Sequence, residues 1–408
     1  MDFNDTPDEA AFRAEVRDWL AANAALRSDT KDTTAVGLGG HLANARAFQR
    51  KKVAAGFSVI TMPRAYGGRG GTPIQQLIYL QEEARYDNCG VPEIFGVGLG
   101  MCLPTILHNG TDAQRDRYLG PGISGDEIWC QLFSEPSGGS DVAGARTSAV
   151  RDGDDWIVNG QKIWTSGAHY CDFGIITTRT DPTARKHRGM TMFIVDMKSP
   201  GIEVRPIRQL TNTSEFNEVF FTDVRVPDAN RLGALNDGWN VALSTLMHER
   251  VSIGARSETL DWRRLLDIAR AQEIDGRPAI DDARVGDQIV DSWLIEFGAQ
   301  LTSFRGQTAL SRGEQPGPEQ SVLKMLKAPL LQQNAYRAME MAGEAGVLTH
   351  IEPGDNWDDV INSLLFSPGI RIAGGSDEIL RNIVAERVLG LPQDVRLDKD
   401  VPFNEIPV

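Results

Sequence analysis

What most narrows the folds open to this chain is the order of its periodicities: helical, then strand-like, then helical again. From Pro7 to about Asn23 the apolar residues Phe12, Val16, Trp19 and Leu20 recur at helical spacing, behind a Thr6-Pro7 start signal and two acids. Further helical patterns fall near 41–55, 73–87 and 111–118, separated by Gly and Pro punctuation such as YGGRGGTP at 66–73. Near Ile128 the pattern changes. TSAVRDG, WIVNGQKIWTS, FGIITTRT, MTMFIVDM, IEVRPI and FNEVFFTDVRVP are β-branched and aromatic runs between turn signals, with Asp152-Gly153 and Asn159-Gly160 as hairpin dipeptides. After about Asn236 helical periodicity returns in ALSTLMHERVSIGARSETLDWRRLLDIARAQ, DARVGDQIVDSWLIEFGAQLTSFR, SVLKMLKAPLLQQNAYRAMEMAG and SDEILRNIVAERVLG.

This order predicts an α+β multidomain chain: a helical domain over 1–127, a small antiparallel β-barrel or sandwich over 128–235, and a four-helix bundle over 236–408. With 41% apolar and 24% charged residues the chain has the composition of a folded globular protein. A net charge of −14 with no basic patch argues against nucleic acid, while a few arginines and helix N-termini can still hold a small anion. Cys89, Cys102, Cys130 and Cys171 are irregularly spaced and read as buried thiols. The acidic, amphipathic start differs from a signal peptide, and no run of about 18 apolar residues stands out as a membrane span, so the expectation is a cytoplasmic protein without a membrane partner.

Several motifs fail. Gly96-x-Gly98 continues to Met101 where a dinucleotide fingerprint needs Gly, and there is no phosphate loop. His248-Glu249 would need a second histidine at Ser252 to bind zinc, and Gly138-Gly139-Ser140-Asp141 breaks the nucleophile elbow, so no metal is expected. Two segments carry chemistry. WCQLFSEPSGGSDVAG at 129–144 ends a strand in small polar residues whose hydroxyls and freed N–H groups suit a flat polar ligand and phosphate. KIWTSGA at 162–168 sets an aromatic face, Trp164, beside the hydroxyls of Thr165 and Ser166.

Together with MHERVSIGA at 247–255 and GGSDEILRNIVAERVLGLP at 374–392, these segments resemble the acyl-CoA dehydrogenase family over essentially the whole chain. The resemblance implies FAD as cofactor and α,β-dehydrogenation of an acyl-CoA thioester. By position, Gln131, Phe133 and Ser134 correspond to contacts with the flavin ring edge, and Trp164, Thr165 and Ser166 to its other face. Ser376 and Glu378 fall in the C-terminal cofactor segment, and Ser140 corresponds to a contact with the coenzyme A arm. Many members carry their base glutamate just ahead of a Gly-Thr-Ser stretch, where this chain has Gly374. Another subset, including actinobacterial members, carries it in a Glu-Arg pair on the first long helix of the bundle, which Glu249-Arg250 matches. Glu249 is therefore expected to take the α-proton, with Arg250 orienting it or the flavin. A dry pocket would strip the Glu249 carboxylate of hydration and strengthen it as a base. Small residues at Ala373, Gly374 and Gly375 leave volume for a branched or ring-bearing acyl group.

The chain also departs from the family. Where most members have Arg-x-x-Phe-Gly reaching a neighbour's FAD, it reads ARAQEIDGRPAIDDARVGDQ, with Arg270 and Arg277 as loose substitutes. The adenine-side Gln-x-x-Gly-Gly-x-Gly is replaced by MEMAGEAG at 339–346. Two assemblies follow: a homo-oligomer (dimer or tetramer) holding FAD differently, or a heterotetramer whose homologous partner completes the site. Electron-transfer flavoprotein is the acceptor the resemblance implies. An acyl-CoA oxidase, a flavin monooxygenase and a non-catalytic subunit remain as other readings of the same scaffold.

Overall fold

The computed structural model describes residues 5–26, 38–253, 260–312, 314, 317, 321–347, 357–395, 398 and 400–406, without the side chains of 249–253, 310, 311, 345, 347 and 358. The chain packs as two compact units. One comprises Met1–Gln209, Thr213–Ala255 and Asp394–Val408, and the other Leu210–Asn212 and Arg256–Gln393.

The first unit opens with helices α1 (Pro7–Asn23), α2 (Leu38–Ala54), α3 (Pro73–Glu83), α4 (Val91–Val97), α5 (Leu103–Asn109) and α6 (Asp112–Ser124). Capping boxes start three of them. The hydroxyls of Thr6, Thr72 and Thr111 accept from the third helical N–H while Glu9, Gln75 and Gln114 reach back. The sequence patterns missed α4 and α5, which a π-helical turn at Gly98–Cys102 joins. Val91–Asn109 is long and apolar enough to cross a membrane by length and composition, which the sequence reading passed over; 44% of that window is buried against protein.

The strands are β1 (Trp129–Leu132), β2 (Ser148–Asp152), β3 (Asp155–Ser166), β4 (Phe173–Arg179), β5 (Met190–Asp196), β6 (Ile202–Pro206), β7 (Phe216–Pro227) and β8 (Arg231–Leu232). They form one sheet in the order β6-β7-β3-β2-β4-β5-β8, with β1 on β4. Most pairings are antiparallel as expected, but β1 and β2 each meet β4 in parallel. Burial explains the near-continuous apolar runs of β4 and β5. Cys130, Leu132, Ile176, Phe193 and Val195 face one core with Phe48 and Phe95. Alternate residues Trp129, Phe133, Ile175, Met192 and Ile194 face a second core with Leu103, Leu119 and Val241, so the central strands have no solvent side.

Gly153, at φ +64, turns β2 into β3 as the sequence suggested. Asn159-Gly160 makes no hairpin and lies within β3. The Asn159 amide brackets a bulge in β7, donating to Asp223 at 3.0 Å and accepting from its backbone N–H at 2.9 Å. Gly160 is needed for close approach: at φ +151, a Cβ would meet Thr147 Oγ1 at 2.5 Å.

Helix α7 (Gly238–Ile253) packs on α5 and β5 and belongs to this same unit. In the second unit lie α8 (Trp262–Ala271), α9 (Ala283–Ser311), α10 (Ser321–Ala342), α11 (Asp358–Ile370) and α12 (Asp377–Arg387). Helix α10 packs against the other four, around a core of Leu265, Ile268, Ile289, Leu331, Ala335 and Val360. The first long helical stretch read from sequence is thus two helices, and α11 is additional. Asp275 and Gly276, both with positive φ, turn a two-stranded ribbon of β9 (Glu273–Ile274) and β10 (Arg277–Pro278) inside the segment that departs from the family pattern. On α9, Val290, Trp293, Leu294, Phe297 and Leu301 form an exposed apolar stripe, with the Trp293 and Phe297 rings stacked at 5.6 Å.

Candidate active site

The end of β1 and the end of β3 are brought together by a buried ion pair. Lys162, 0% exposed, donates to the Glu135 carboxylate at 2.8 Å, to the Phe133 carbonyl at 3.1 Å and to Thr177 at 3.3 Å. Glu135 also accepts the backbone N–H groups of Arg146 and Thr147 at 2.7 and 2.9 Å. Burial acts to raise the Glu135 carboxyl, but the charge and hydrogen bond of Lys162 outweigh it and hold it below its ordinary range. Burial pulls Lys162 down, opposed by the charge and hydrogen bond of Glu135. Beside it, Ile163 N–H donates to the Ser134 carbonyl at 2.9 Å. Phe133 and Ser134 are therefore tied directly to the turn that carries Trp164, Thr165 and Ser166, and Gln131 lies on the same strand, paired with Ile175.

That turn is a β-bulge. Lys162 pairs with Val219 and Thr165 with Asn217, leaving one extra residue on β3. Trp164 takes up the extra length at φ +60, a left-handed conformation that costs a bulky residue about 1–3 kcal/mol. Its indole is 56% exposed, edge-on to Phe216 at 6.2 Å, a large aromatic face turned out from the sheet. Next to it, Thr165 is 1% exposed, and its Oγ1 has no hydrogen-bond partner among the described residues. Its carbonyl is held by the Asn217 amide at 2.9 Å, and His169 contacts Asn217 at 3.1 Å. A buried, unsatisfied hydroxyl beside an open aromatic face suits a flat heteroaromatic ring with a hydrogen-bonding edge, which a flavin supplies.

Ser140 is exposed in the loop after Glu135, where Glu135 and Gly138 exchange backbone hydrogen bonds at 3.0 and 2.9 Å. Helix α7 carries Glu249 and Arg250 in helical backbone; their side chains lie outside the described residues. The turns before them are fixed firmly. Thr105 Oγ1 meets Thr245 Oγ1 at 2.9 Å, Asn109 donates to Ser244 at 3.3 Å, and His248 stacks on His108 at 5.1 Å. Burial, then the neighbouring His108, keeps the His248 imidazole below its ordinary range.

In the second unit, Ser376 caps α12, accepting from Ile379 N–H at 3.4 Å. Gly374 and Gly375, at φ +66 and +94, turn the chain into that cap, and the Lys324 ammonium donates to the carbonyls of Ala373 and Gly375. Glu378 is exposed in the first helical turn, where its own backbone N–H and then Ser376 hold the carboxyl low. Asp377 is buried against Arg371 at 2.6 Å, with Oδ1 left without a partner among the described residues.

Sequence reasoning did not single out Glu135, Lys162 or Asn217. The first two lie inside the quoted motifs, and a Lys at an inward position of a strand was the available signal, since lysine is buried only when paired.

Comparison with known proteins follows the same layout. The N-terminal, middle and C-terminal domain models of acyl-CoA dehydrogenases match residues 6–126, 130–224 and 236–389. The chain belongs to the acyl-CoA dehydrogenase family of FAD-dependent oxidoreductases. It is 36% identical to acyl-CoA dehydrogenase IpdE1 of Mycobacterium tuberculosis, across 95% of this chain and 99% of that protein. It is 39% identical to acyl-CoA dehydrogenase FadE34 of the same organism, across 81% of this chain and 44% of that longer protein. Among solved structures it resembles the Tcur3481-Tcur3483 steroid ACAD, with TM-score 0.80 at 26% identity over 97% of this chain and 100% of that one. It also resembles the ChsE4-ChsE5 complex from Mycobacterium tuberculosis, with TM-score 0.79 at 28% identity and the same coverage.

Two outcomes are expected. Lys162→Met leaves Glu135 buried without its counter-charge, so it should cost about 3–5 kcal/mol in denaturant unfolding and release flavin more readily, read from bound-flavin absorbance. The depressed His248 imidazole means that the unfolded chain binds more protons just below the ordinary value of 6.5, so its contribution is intact above that value and is lost as pH falls through it. Thermal melts between about pH 7.5 and 5.5 should show a shallower decline for His248→Phe than for the unaltered protein.

Proposed function

We propose that the chain is the catalytic subunit of an acyl-CoA dehydrogenase for a bulky, ring-bearing acyl-CoA, with Glu249 as the base. The observation that carries this reading is the unsatisfied, buried Thr165 hydroxyl beside the open Trp164 face, in a chain of this family. Gln131, Phe133 and Ser134 would grip the flavin's polar edge, using a strand end that Lys162 and Glu135 hold still. Thr165 and Ser166 would hydrogen-bond the ring, and Trp164 would cover one face and keep water from it. The family resemblance supports Ser376 and Glu378, at the start of α12, as further cofactor contacts. When bound, FAD supplies the hydride acceptor for the substrate β-carbon.

The chain's own task is to remove the α-proton. A carboxylate on α7 would do so, carried by a helix that Thr105, Asn109 and His108 brace through the residue before Glu249. Arg250 would orient that carboxylate or the substrate. Ser140 would meet the coenzyme A arm, and Gly374, with no side chain, would leave room for the acyl group. Similarity to the Tcur3481-Tcur3483 steroid ACAD and to the ChsE4-ChsE5 complex supports a steroid-derived acyl group and an assembly of two different chains. The exposed stripe on α9 supports such an assembly, because apolar patches of this kind mark interfaces. Electrons would pass to an electron-transfer flavoprotein.

Anaerobic titration with a series of acyl-CoA thioesters should bleach the flavin for ring-bearing acyl groups. Turnover confined to short straight chains would remove the substrate assignment. Glu249→Gln, added to the assembled protein, should retain its yellow colour yet lose about 10²–10⁴-fold in flavin reduction rate; an unchanged rate would take this chain out of the chemistry. Replacing both Trp293 and Phe297 by Asp should lower the mass in sedimentation, alone or with a homologous chain, and an unaltered mass would discard α9 as the contact.

A further inference from the structure

The chain's last segment packs with the β-sheet unit and not with the helices that precede it. Phe403 N–H donates to the Ala184 carbonyl at 2.9 Å, Asn404 N–H donates to that of Pro182 at 2.9 Å, and Pro402 bridges to Arg185. Asp400 pairs with Arg185 at 3.0 Å. The Phe403 ring, 5% exposed, lies beneath the Arg179 guanidinium, 3.6 Å from its centroid, with Arg146 at 5.3 Å.

Those arginines lead to the loop that holds Ser140. Arg179 donates to the carbonyls of Ala143 at 2.6 Å, Ala145 at 3.4 Å and Lys186 at 2.7 Å. It is buried, and the ring closes one face of its planar cation against water. Lys186 forms a second bridge, pairing with Asp141 at 2.7 Å on the loop and with Asp398 on the tail. Beneath the loop, Ala143 and Ala145 pack with Met190 and with Trp239 in the first turn of α7, so the loop is seated on the helix that carries Glu249.

We infer that residues 398 and 400–406 act as an intramolecular strap that holds the 140–146 loop in the shape that receives the coenzyme A arm, with Arg179, Lys186 and Phe403 as positioning residues. The inference rests on the assignment of Ser140 to that arm. Its physical content is that Glu135 holds the loop's far end through the Arg146 N–H, while the Ala143 and Ala145 carbonyls and the Asp141 carboxylate are met by Arg179 and Lys186, two cations that Phe403 and Asp398 contact in turn. Without the tail those cations regain water and rotamer freedom, and ordering the loop becomes part of the cost of binding.

The test uses the full-length holoprotein with Phe403→Ala, Phe403→Tyr and Asp398→Asn. In Phe403→Ala, hydrogen–deuterium exchange over 138–146 should rise, and coenzyme A affinity by titration calorimetry should fall about tenfold. With an acyl-CoA that reduces the flavin, KM should rise by a similar factor while kcat stays within about twofold and flavin content is unchanged. Phe403→Tyr, which keeps the ring, should restore all of these. Asp398→Asn should show the same signs more weakly, and it carries the test if Phe403→Ala does not fold.

Unchanged exchange in the loop would overturn the strap. Faster exchange with unchanged coenzyme A affinity would overturn its link to substrate. A fall in kcat at constant KM would also overturn that link. Failure of every acyl-CoA to reduce the flavin in the unaltered protein would instead defeat the proposed function, and the exchange measurement would still judge the strap.

Discussion

The ion pair between Lys162 and Glu135 is the constraint on which the rest of the candidate site depends. Two strand ends far apart in sequence, 131–135 and 162–166, are joined by one lysine that satisfies a carboxylate, a carbonyl and a hydroxyl in the interior. A buried pair of this kind contributes little net stability compared with a well-packed apolar substitute, but removing one partner leaves an uncompensated charge in the interior, so the two strand ends are held together or not at all. Every polar group proposed to meet the flavin in this unit lies within a few residues of one partner or the other. The bulge at Trp164 can be strained because its neighbours on both sides are held by this pair and by Asn217.

Much of this was legible in the sequence for physical reasons that can be named. The strands β2 to β7 announced themselves because β-branched runs bounded by turns have few other uses, and α1, α3 and α6 carry capping boxes that need no tertiary context. The resemblance to acyl-CoA dehydrogenases rested on segments in which polar side chains must meet a ligand, and the domain matches agree with it. Helices α4 and α5 escaped because they are apolar on nearly every side and interrupted by Pro and Gly, so they show no amphipathic period. Gly160 misled because an Asn-Gly pair reads as a turn until the opposing strand's bulge and Thr147 are known. Glu135 lies 27 residues from Lys162 and Ala143 lies 36 from Arg179, and only packing reveals such pairings.

The two units divide the proposed labour unevenly. Helix α7 is grouped with the sheet by its packing on α5, β5 and the 143–145 loop, although the sequence suggested that it opened the bundle. The helix that carries the proposed base and the strand that carries Trp164 therefore belong to the same unit. The turn at Gly374 and Gly375 belongs to the other unit, where α10 is the hub and Lys324 ties the turn's carbonyls to it.

The two-sided burial of β4 and β5 has a further consequence, for how such an enzyme can diversify. A strand with a core on each face offers no position where a polar side chain or an inserted residue can be absorbed, since each would intrude on one core or the other. New chemistry is thereby confined to the strand ends, the bulge and the connecting loops, where backbone can shift without disturbing either core. Substrate range in a protein of this build should drift by remodelling its rim while the middle of the sheet stays fixed.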